Sequence, residues 1–457
     1  MSEPSLHKDG PTTRPAAPAT AARNSLNIFT TRLLTLPITI LTSILVAIVL
    51  GPANRGIYGF LVLMGGFALP LLMFGFGASV TYFISNKRYA VRDIFLTCVT
   101  VGVMQGTVGA CLLGLLWYFD LLGETAAATP PHLMLLVLLT LPMQGATLTL
   151  NRVALGDSWF SASNRIAYAT AILTSTMLLL LVVMAQLGLR GAVIGMVTNQ
   201  VLLLTASTIA SIRRFRPVLA WNTTFLREGA RYGLKAWVGD VVGYSNLRLD
   251  QWILGMVAKS EVLGTYALAV SFAEMLWMLP DSLAHVLFNK VAAVKDVAQR
   301  QELIERMNRV VFWTLAVAGV AVVFAAPGIV YILGDAYAAT AVPLALLMPG
   351  TVAMTVHKVL TKYFGGVGKP HLSGTTAGIG GLVGSLLYFV LIPRYGAVGA
   401  AIASSGCYIV TAVTAVVVYR RLVAPHKARL FRPNLADAAW LDQQARLAIR
   451  SRQPTGG

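Results

Sequence analysis

Charged side chains lie inside long apolar stretches of this chain, where they are costly and usually functional. Arg248 and Asp250 fall near the middle of one stretch, and Glu274 falls near the middle of the next. Two residues subtend about 200° on an α-helix, so Arg248 and Asp250 point to different sides. We expect an ion pair with a neighbouring helix, such as Arg248 with Glu274. Proton or sodium coupling through the carboxylates is the alternative.

The stretch that holds Arg248 is the most polar of the chain, and its polar residues form two stripes. Lys235, Asn246 and Asp250 fall within about one quadrant of a helix. The second stripe consists of Asp240, Tyr244 and Arg248. One of these stripes is expected to face a cavity.

Other charges occur at membrane depth in two further stretches and again in the stretch that holds Glu274. Arg32 lies about one turn inside the first, Lys358 lies in the tenth, and Asp281 follows Pro280 in the eighth. Such cations either extend to the interface or face an aqueous cavity. The candidate substrate-binding residues are Arg32, Lys235, Arg248, Lys358 and Asn246. The candidates for ion coupling or ion pairing are Asp240, Asp250, Glu274 and Asp281. No metal site or cofactor is predicted.

These residues must be positioned by membrane-spanning helices. The mean hydropathy is +0.70 and 12% of residues are charged, about half the charged fraction of an average soluble protein. Stretches of about 20 apolar residues span a bilayer, and only helices satisfy their backbone there. We place the spans near 28–50, 58–85, 94–118, 133–155, 166–186, 192–212, 233–257, 263–288, 310–332, 338–364, 372–392 and 397–418.

Positive charge is concentrated in every second gap between the apolar stretches. Of 36 Lys and Arg residues, 29 fall on one side, including Arg152 and Lys235 at span ends, and only four fall on the other. The remaining three, Arg32, Arg248 and Lys358, lie inside apolar stretches. Because cytoplasmic loops carry the excess of Lys and Arg, we expect both termini to be cytoplasmic. Loops facing an anionic leaflet explain the net charge of +18, so no nucleic acid is expected as a partner.

The two halves repeat each other at an offset of about 204 to 208 residues. Gly56-Ile57-Tyr58 recurs as Gly264-Thr265-Tyr266, and Gly191-Ala192-Val193 recurs as Gly399-Ala400-Ala401. Six spans per half give both repeats the same orientation, with a cavity between them. The predicted fold is an all-α polytopic membrane protein with about 12 transmembrane helices in two pseudo-symmetric six-helix lobes around a central cationic cavity. The predicted regions are a disordered cytoplasmic tail (1–26), an N-lobe (27–214), a basic linker (215–232), a C-lobe (233–423) and a basic tail (424–457).

Three runs resemble the polysaccharide (O-antigen type) flippases of the multidrug/oligosaccharidyl-lipid/polysaccharide exporter superfamily. They are Leu50-Gly51-Pro52 with Arg55-Gly56-Ile57-Tyr58, Arg248-Leu249-Asp250-Gln251 with Gly264-Thr265-Tyr266-Ala267 and Glu274, and Ile332-Leu333-Gly334-Asp335-Ala336-Tyr337 with Leu347-Met348-Pro349-Gly350. The resemblance implies a transporter of the bacterial inner membrane that moves undecaprenyl-diphosphate-linked oligosaccharides from the inner to the outer leaflet. The implied partners are the lipid-linked oligosaccharide, the bilayer and other polysaccharide-assembly proteins.

Three rival interpretations are weaker. A cation-coupled small-molecule or drug antiporter of the same fold commonly has a carboxylate in its first span, where this chain has Arg32. A membrane-bound polymerase, ligase or glycosyltransferase usually needs a sizeable extramembrane loop, and the gaps here are too short for one. A scaffold without transport activity leaves the intramembrane charges unexplained. The sequence therefore favours a transporter over an enzyme.

Overall fold

The fold is almost entirely helical. The computed structural model describes residues 18–278, 280, 294, 296–369, 371–423, 429–432 and 437, with the side chains of 18–40, 160–163, 240, 329 and 423 outside the description. Its α-helices are α1 (Pro18–Leu63), α2 (Leu69–Leu72), α3 (Phe76–Ser85), α4 (Val91–Tyr118), α5 (Glu124–Ala127), α6 (Pro131–Gly156), α7 (Phe160–Leu178), α8 (Gly188–Phe215), α9 (Thr223–Val257), α10 (Ser260–Met275), α11 (Val297–Leu333), α12 (Ala341–Gly366) and α13 (His371–Val423). Two π-helical segments, Met64–Ala68 and Leu179–Met184, and a 3-10 segment, Asp335–Thr340, join some of them.

Two of the long helices each contain a break at a glycine. Gly51 in α1 and Gly396 in α13 have non-helical backbone angles, with φ of 70° and 53°. Each break ends one crossing and starts the next, at the places where the hydropathy pattern predicts a turn. Eight segments within the described residues are long and apolar enough to span a membrane. With these breaks, and with the more polar α9 and the shorter α10, the chain has the twelve crossings that the sequence predicts.

The turns at one end of the bundle confirm the internal repeat. Gly188 and Gly396, 208 residues apart, both have φ of 53°. Gly123 and Gly334 have φ of 82° and 86°, and each leads into a short helical turn, α5 or the 3-10 segment. Such left-handed angles suit glycine because it has no Cβ. The same turns therefore recur at matching places in the two lobes.

The lobes meet through a symmetric crossing of α1 with α10. A Cβ added to Gly56 would lie 1.7 Å from the carbonyl oxygen of Ser260, and one added to Gly264 would lie 1.9 Å from that of Pro52. Both pairs are related by the repeat, because Gly56 and Gly264, like Pro52 and Ser260, are 208 residues apart. Only glycine allows the two backbones to approach this closely.

Helix α9 packs against both lobes. Near its start, Phe225 is fully buried and packs against Phe76 and Phe83 of α3. Glu228 is bound by Arg88 at 2.6 Å and by the Tyr89 hydroxyl at 2.9 Å. Further along, α9 packs extensively against α13. The helix that carries half of the charged candidates therefore packs against the N-lobe at its start and against α13 of the C-lobe further along.

A segment beyond α13 docks onto the start of α11. The buried Asp437 carboxylate accepts two hydrogen bonds from Arg309, at 2.7 and 3.0 Å. Arg309 also donates to the carbonyl of Arg429, and Asn308 donates to the carbonyl of Leu430. The Leu430 side chain is buried. These contacts tie residues 429–430 and Asp437 to the C-lobe.

This docking predicts a large stability effect. Asp437→Ala should lower the free energy of unfolding by about 3–5 kcal/mol, because the buried Arg309 loses the carboxylate that accepts two of its hydrogen bonds. Glu302→Ala is the matched control, since its i,i+4 pair with Arg306 has Glu302 two-thirds exposed, and it should cost under about 0.5 kcal/mol. Thermal unfolding of the purified variants measures both. Equal melting temperatures for the two variants would show that the docked segment does not stabilise the C-lobe.

Candidate functional site

The second span, residues 52–85, is interrupted in the middle of the bundle. A π-helical segment covers Met64–Ala68, and the helix then stops at Met73 and restarts as α3 after Phe74 (φ 46°) and Gly75 (φ 69°). Neighbouring helices bind carbonyls freed at this break. The Trp237 indole donates to the Leu71 carbonyl at 2.6 Å, and Gln105 donates to the Met73 carbonyl at 2.9 Å. Broken backbone at membrane depth is tolerated where it is supported in this way or lines a cavity.

A small cleft, with a cavity volume of about 20 Å³, opens beside the break, between the N-lobe and α9. Its walls come from the broken span, from α6 and from α9. The lining residues are Pro70, Met73, Gly75, Gly77, Leu148, Arg152 and Tyr244. The cleft lies on the half of the bundle that carries the basic loops, which we call the basic end.

The cation of this cleft is Arg152. Its side chain lies across the first turn of α3, such that a Cβ added to Gly77 would be 3.0 Å from its Cγ and 3.1 Å from its Nε. Among the described residues, no carboxylate lies within 4.0 Å of its guanidinium. The start of α3 has no side-chain cap, and a helix N-terminus carries a partial positive charge. Two positive groups therefore converge on one cleft, which favours an anionic ligand there.

Arg248 and Glu274 form the ion pair expected from the sequence. The two guanidinium NH groups bind the two carboxylate oxygens at 2.6 and 3.0 Å. The side chains stay 33% and 27% exposed, so the pair is only partly buried. Tyr244, one turn earlier on the same helix, lines the cleft. The stripe containing Tyr244 and Arg248 is therefore the one that faces open space.

Two residues of the other stripe of α9, Asn246 and Asp250, are buried. Asp250 is 2% exposed and accepts hydrogen bonds from the hydroxyls of Tyr266 at 2.5 Å and Ser404 at 2.9 Å, and from the backbone of Gln251 at 2.7 Å. Asn246 donates to the Ala377 carbonyl at 2.8 Å. Both side chains thus contact helices of the C-lobe rather than the cleft, as the angular separation of Arg248 and Asp250 requires.

The remaining candidates are distributed as follows. Lys235 is exposed near the basic end of α9. The Lys358 ammonium lies 4.7 Å from the centre of the Trp277 ring, which favours a cation–π contact. The side chains of Arg32 and Asp240, and the whole of Asp281, lie outside the described residues. Among the described residues, no cluster of three His, Cys, Asp or Glu side chains could hold a metal ion.

Two features of the cleft escape sequence reasoning. By sequence, Arg152 counts only as a basic residue at the end of a span. The break in the second span has a local signal in Pro70 and the nearby Gly75 and Gly77, because proline and glycine interrupt helices. The contact between Arg152 and Gly77, 75 residues apart, has no local signal.

Comparison with known proteins places the chain in a family. The model of the polysaccharide biosynthesis protein family matches residues 45–343, and the chain belongs to this family. No curated protein matches the chain by sequence. The expected membership in a polysaccharide biosynthesis family is confirmed by the family model.

The fold is shared with solved transporters of the multidrug/oligosaccharidyl-lipid/polysaccharide exporter superfamily. Lipid II flippase MurJ, in an inward closed conformation, has a TM-score of 0.74 at 13% identity, over 94% of this chain and 94% of that chain. An inward-facing multidrug resistance transporter of the MATE family has a TM-score of 0.66 at 13% identity, over 89% and 98%. A transporter from Pyrococcus furiosus, described as having a binding pocket of reverse polarity, has a TM-score of 0.61 at 13% identity, over 89% and 96%. The chain is therefore a multi-pass membrane protein with this transporter fold.

Proposed function

We propose that the chain is a flippase that moves undecaprenyl-diphosphate-linked oligosaccharide from the inner to the outer leaflet of the bacterial inner membrane by alternating access. The observation that carries the proposal is the cleft between the lobes, where Arg152 and the start of α3 present positive charge without a described acidic partner. The family of polysaccharide biosynthesis proteins and the fold shared with the lipid II flippase support the same substrate class.

The chemistry of the substrate fits this arrangement. A diphosphate cannot cross hydrocarbon unaided, and arginine neutralises phosphate oxygens with paired, charge-assisted hydrogen bonds. Arg32, Lys235, Arg248 and Lys358 would add positive charge along the route, while the lipid tail stays in the bilayer. Other polysaccharide-assembly proteins would supply and consume the glycan on the two sides of the membrane.

A cation-coupled drug antiporter of the same fold is the alternative, and the charges disfavour it. A site for a cationic drug or a coupling ion needs an available carboxylate. Of the two intramembrane carboxylates with described side chains, Glu274 is paired with Arg248 and Asp250 is bound by three donors. Among the residues whose side chains are described, the cleft is lined by the cation Arg152 and by no carboxylate.

The direct test is deletion of the gene. Lipid-linked glycan should accumulate on the cytoplasmic leaflet and the surface polysaccharide should disappear, because the carrier can no longer cross. Accessibility to added glycosidase shows which leaflet holds the glycan. Glycan on the cytoplasmic leaflet should be protected in intact cells and cleaved in everted vesicles. Normal surface polysaccharide in the deletion strain, with no second transporter for the same glycan, would contradict the proposal. So would glycan that accumulates on the outer leaflet.

A further inference from the structure

A second arginine is buried at the opposite end of the second span. Arg55 is 9% exposed, and its Nε is buried without a hydrogen-bond partner among the described residues. Among the described residues, its terminal nitrogens reach only Ser43, with one bond of 3.2 Å to the hydroxyl and one marginal contact of 3.5 Å to the carbonyl. No described carboxylate lies within 4.0 Å of the guanidinium. A buried guanidinium with five donors is thus left largely unsatisfied, which is costly.

The helix around Arg55 adds to this cost. Arg55 lies in the first turn after the break at Gly51, where the free N–H groups of the helix already carry partial positive charge. A cation is unfavourable in that position and an anion is favourable. Sequence patterning alone treats Arg55 only as one of the few basic residues on the less basic side.

Arg55 also lies at the junction of the two lobes. Its chain neighbours Pro52 and Gly56 contact α10 through the close glycine crossing. The Tyr337 phenol of the C-lobe, which donates to the Ala47 carbonyl of the N-lobe at 2.7 Å, is close enough to interact electrostatically with the Arg55 guanidinium. Separation of the lobes at this end would break these contacts and expose Arg55.

From this geometry we propose that Arg55 is a second anion site, at the end of the bundle opposite the Arg152 cleft, which binds the diphosphate of the substrate when the lobes separate there. The proposal rests on the proposed flippase function. Arg55 and Gly77, beside Arg152, are separated by 22 residues of the second span, roughly 30 Å at helical rise. That length is about the thickness of the hydrocarbon core. The two arginines would therefore serve opposite leaflets.

The test uses full-length variants in the deletion strain. Arg55→Gln should reduce delivery of glycan to the outer leaflet by about tenfold or more, because a charge-assisted contact to the diphosphate is lost. Arg55→Lys should restore it only in part, since lysine lacks the paired donors. Ser43→Ala, which removes the described hydroxyl partner of Arg55, should transport normally. Arg190→Ala removes an exposed cation at the same end and should also transport normally.

A photo-crosslinker at Leu148, in the wall of the Arg152 cleft, separates binding from passage. The lipid-linked glycan should still crosslink there in the Arg55→Gln variant, because only the later site is affected. If Arg55→Gln and Ser43→Ala lose thermal stability and transport in parallel, Arg55 only stabilises the packing of α1 and the proposal is wrong. Normal transport by Arg55→Gln would also overturn the proposal. If instead wild-type protein fails to restore outer-leaflet glycan, the flippase function itself is wrong.

Discussion

Arg152→Ala should abolish transport while leaving protein abundance and thermal stability close to wild type. The side chain is partly exposed in the cleft and has no described acidic partner, so its removal strands no buried charge. If it binds the diphosphate, its loss should weaken substrate binding about a hundredfold or more, the range seen when one member of a closely paired charge set is removed. Delivery of glycan to the outer leaflet in the deletion strain measures transport.

Matched variants make the Arg152 result specific. Arg165→Ala removes an exposed cation that is also expected on the cytoplasmic side and should transport normally, which controls for a general loss of positive charge. Arg152→Lys should recover only part of the activity, because an ammonium cannot donate the two parallel bonds of a guanidinium. Full transport by Arg152→Ala would remove the observation on which the proposed function depends. A collapse of thermal stability in that variant would assign Arg152 a structural role.

Glu274→Gln should destabilise the protein, by about 1–3 kcal/mol, because Arg248 would keep its charge in a largely apolar setting without a counter-ion. The expected cost is moderate because both side chains are partly exposed. If the Arg248 guanidinium binds the substrate in addition to pairing with Glu274, Arg248→Gln should also impair transport. Thermal unfolding and outer-leaflet glycan, measured on the same variants, separate these effects.

The exchange of the two charges decides the role of this pair. Arg248→Glu combined with Glu274→Arg restores an ion pair across α9 and α10, so thermal stability should return towards wild type. Transport should not return, because the cation then projects from a different helix and no longer lies where the substrate passes. Recovery of both properties would show that the pair is purely structural. Recovery of transport without recovery of stability would contradict both roles.

The sequence by itself determined the architecture of this protein. The twelve crossings follow from the alternation of apolar stretches and charged gaps, because hydrocarbon admits only helices with an internally satisfied backbone. The repeat was visible in matching glycine runs, and the same turns recur at Gly188 and Gly396 with equal φ angles. The separation of Arg248 from Asp250 followed from helical periodicity alone. These properties are local or periodic, so no knowledge of packing was required.

The tertiary structure decided which charges can act. Helical periodicity placed Lys235, Asn246 and Asp250 on one stripe. Only packing shows that Asn246 and Asp250 are buried against α13 and α10 while Lys235 is exposed. The positions of Arg152 and Arg55 depend on contacts between residues distant in sequence, at Gly77 in one case and at the junction of the lobes in the other. A charged residue in an apolar stretch has the same local sequence pattern whether its side chain is ion-paired, buried or exposed in a cleft. Its partners come from other helices, and only the assembled bundle brings those helices together.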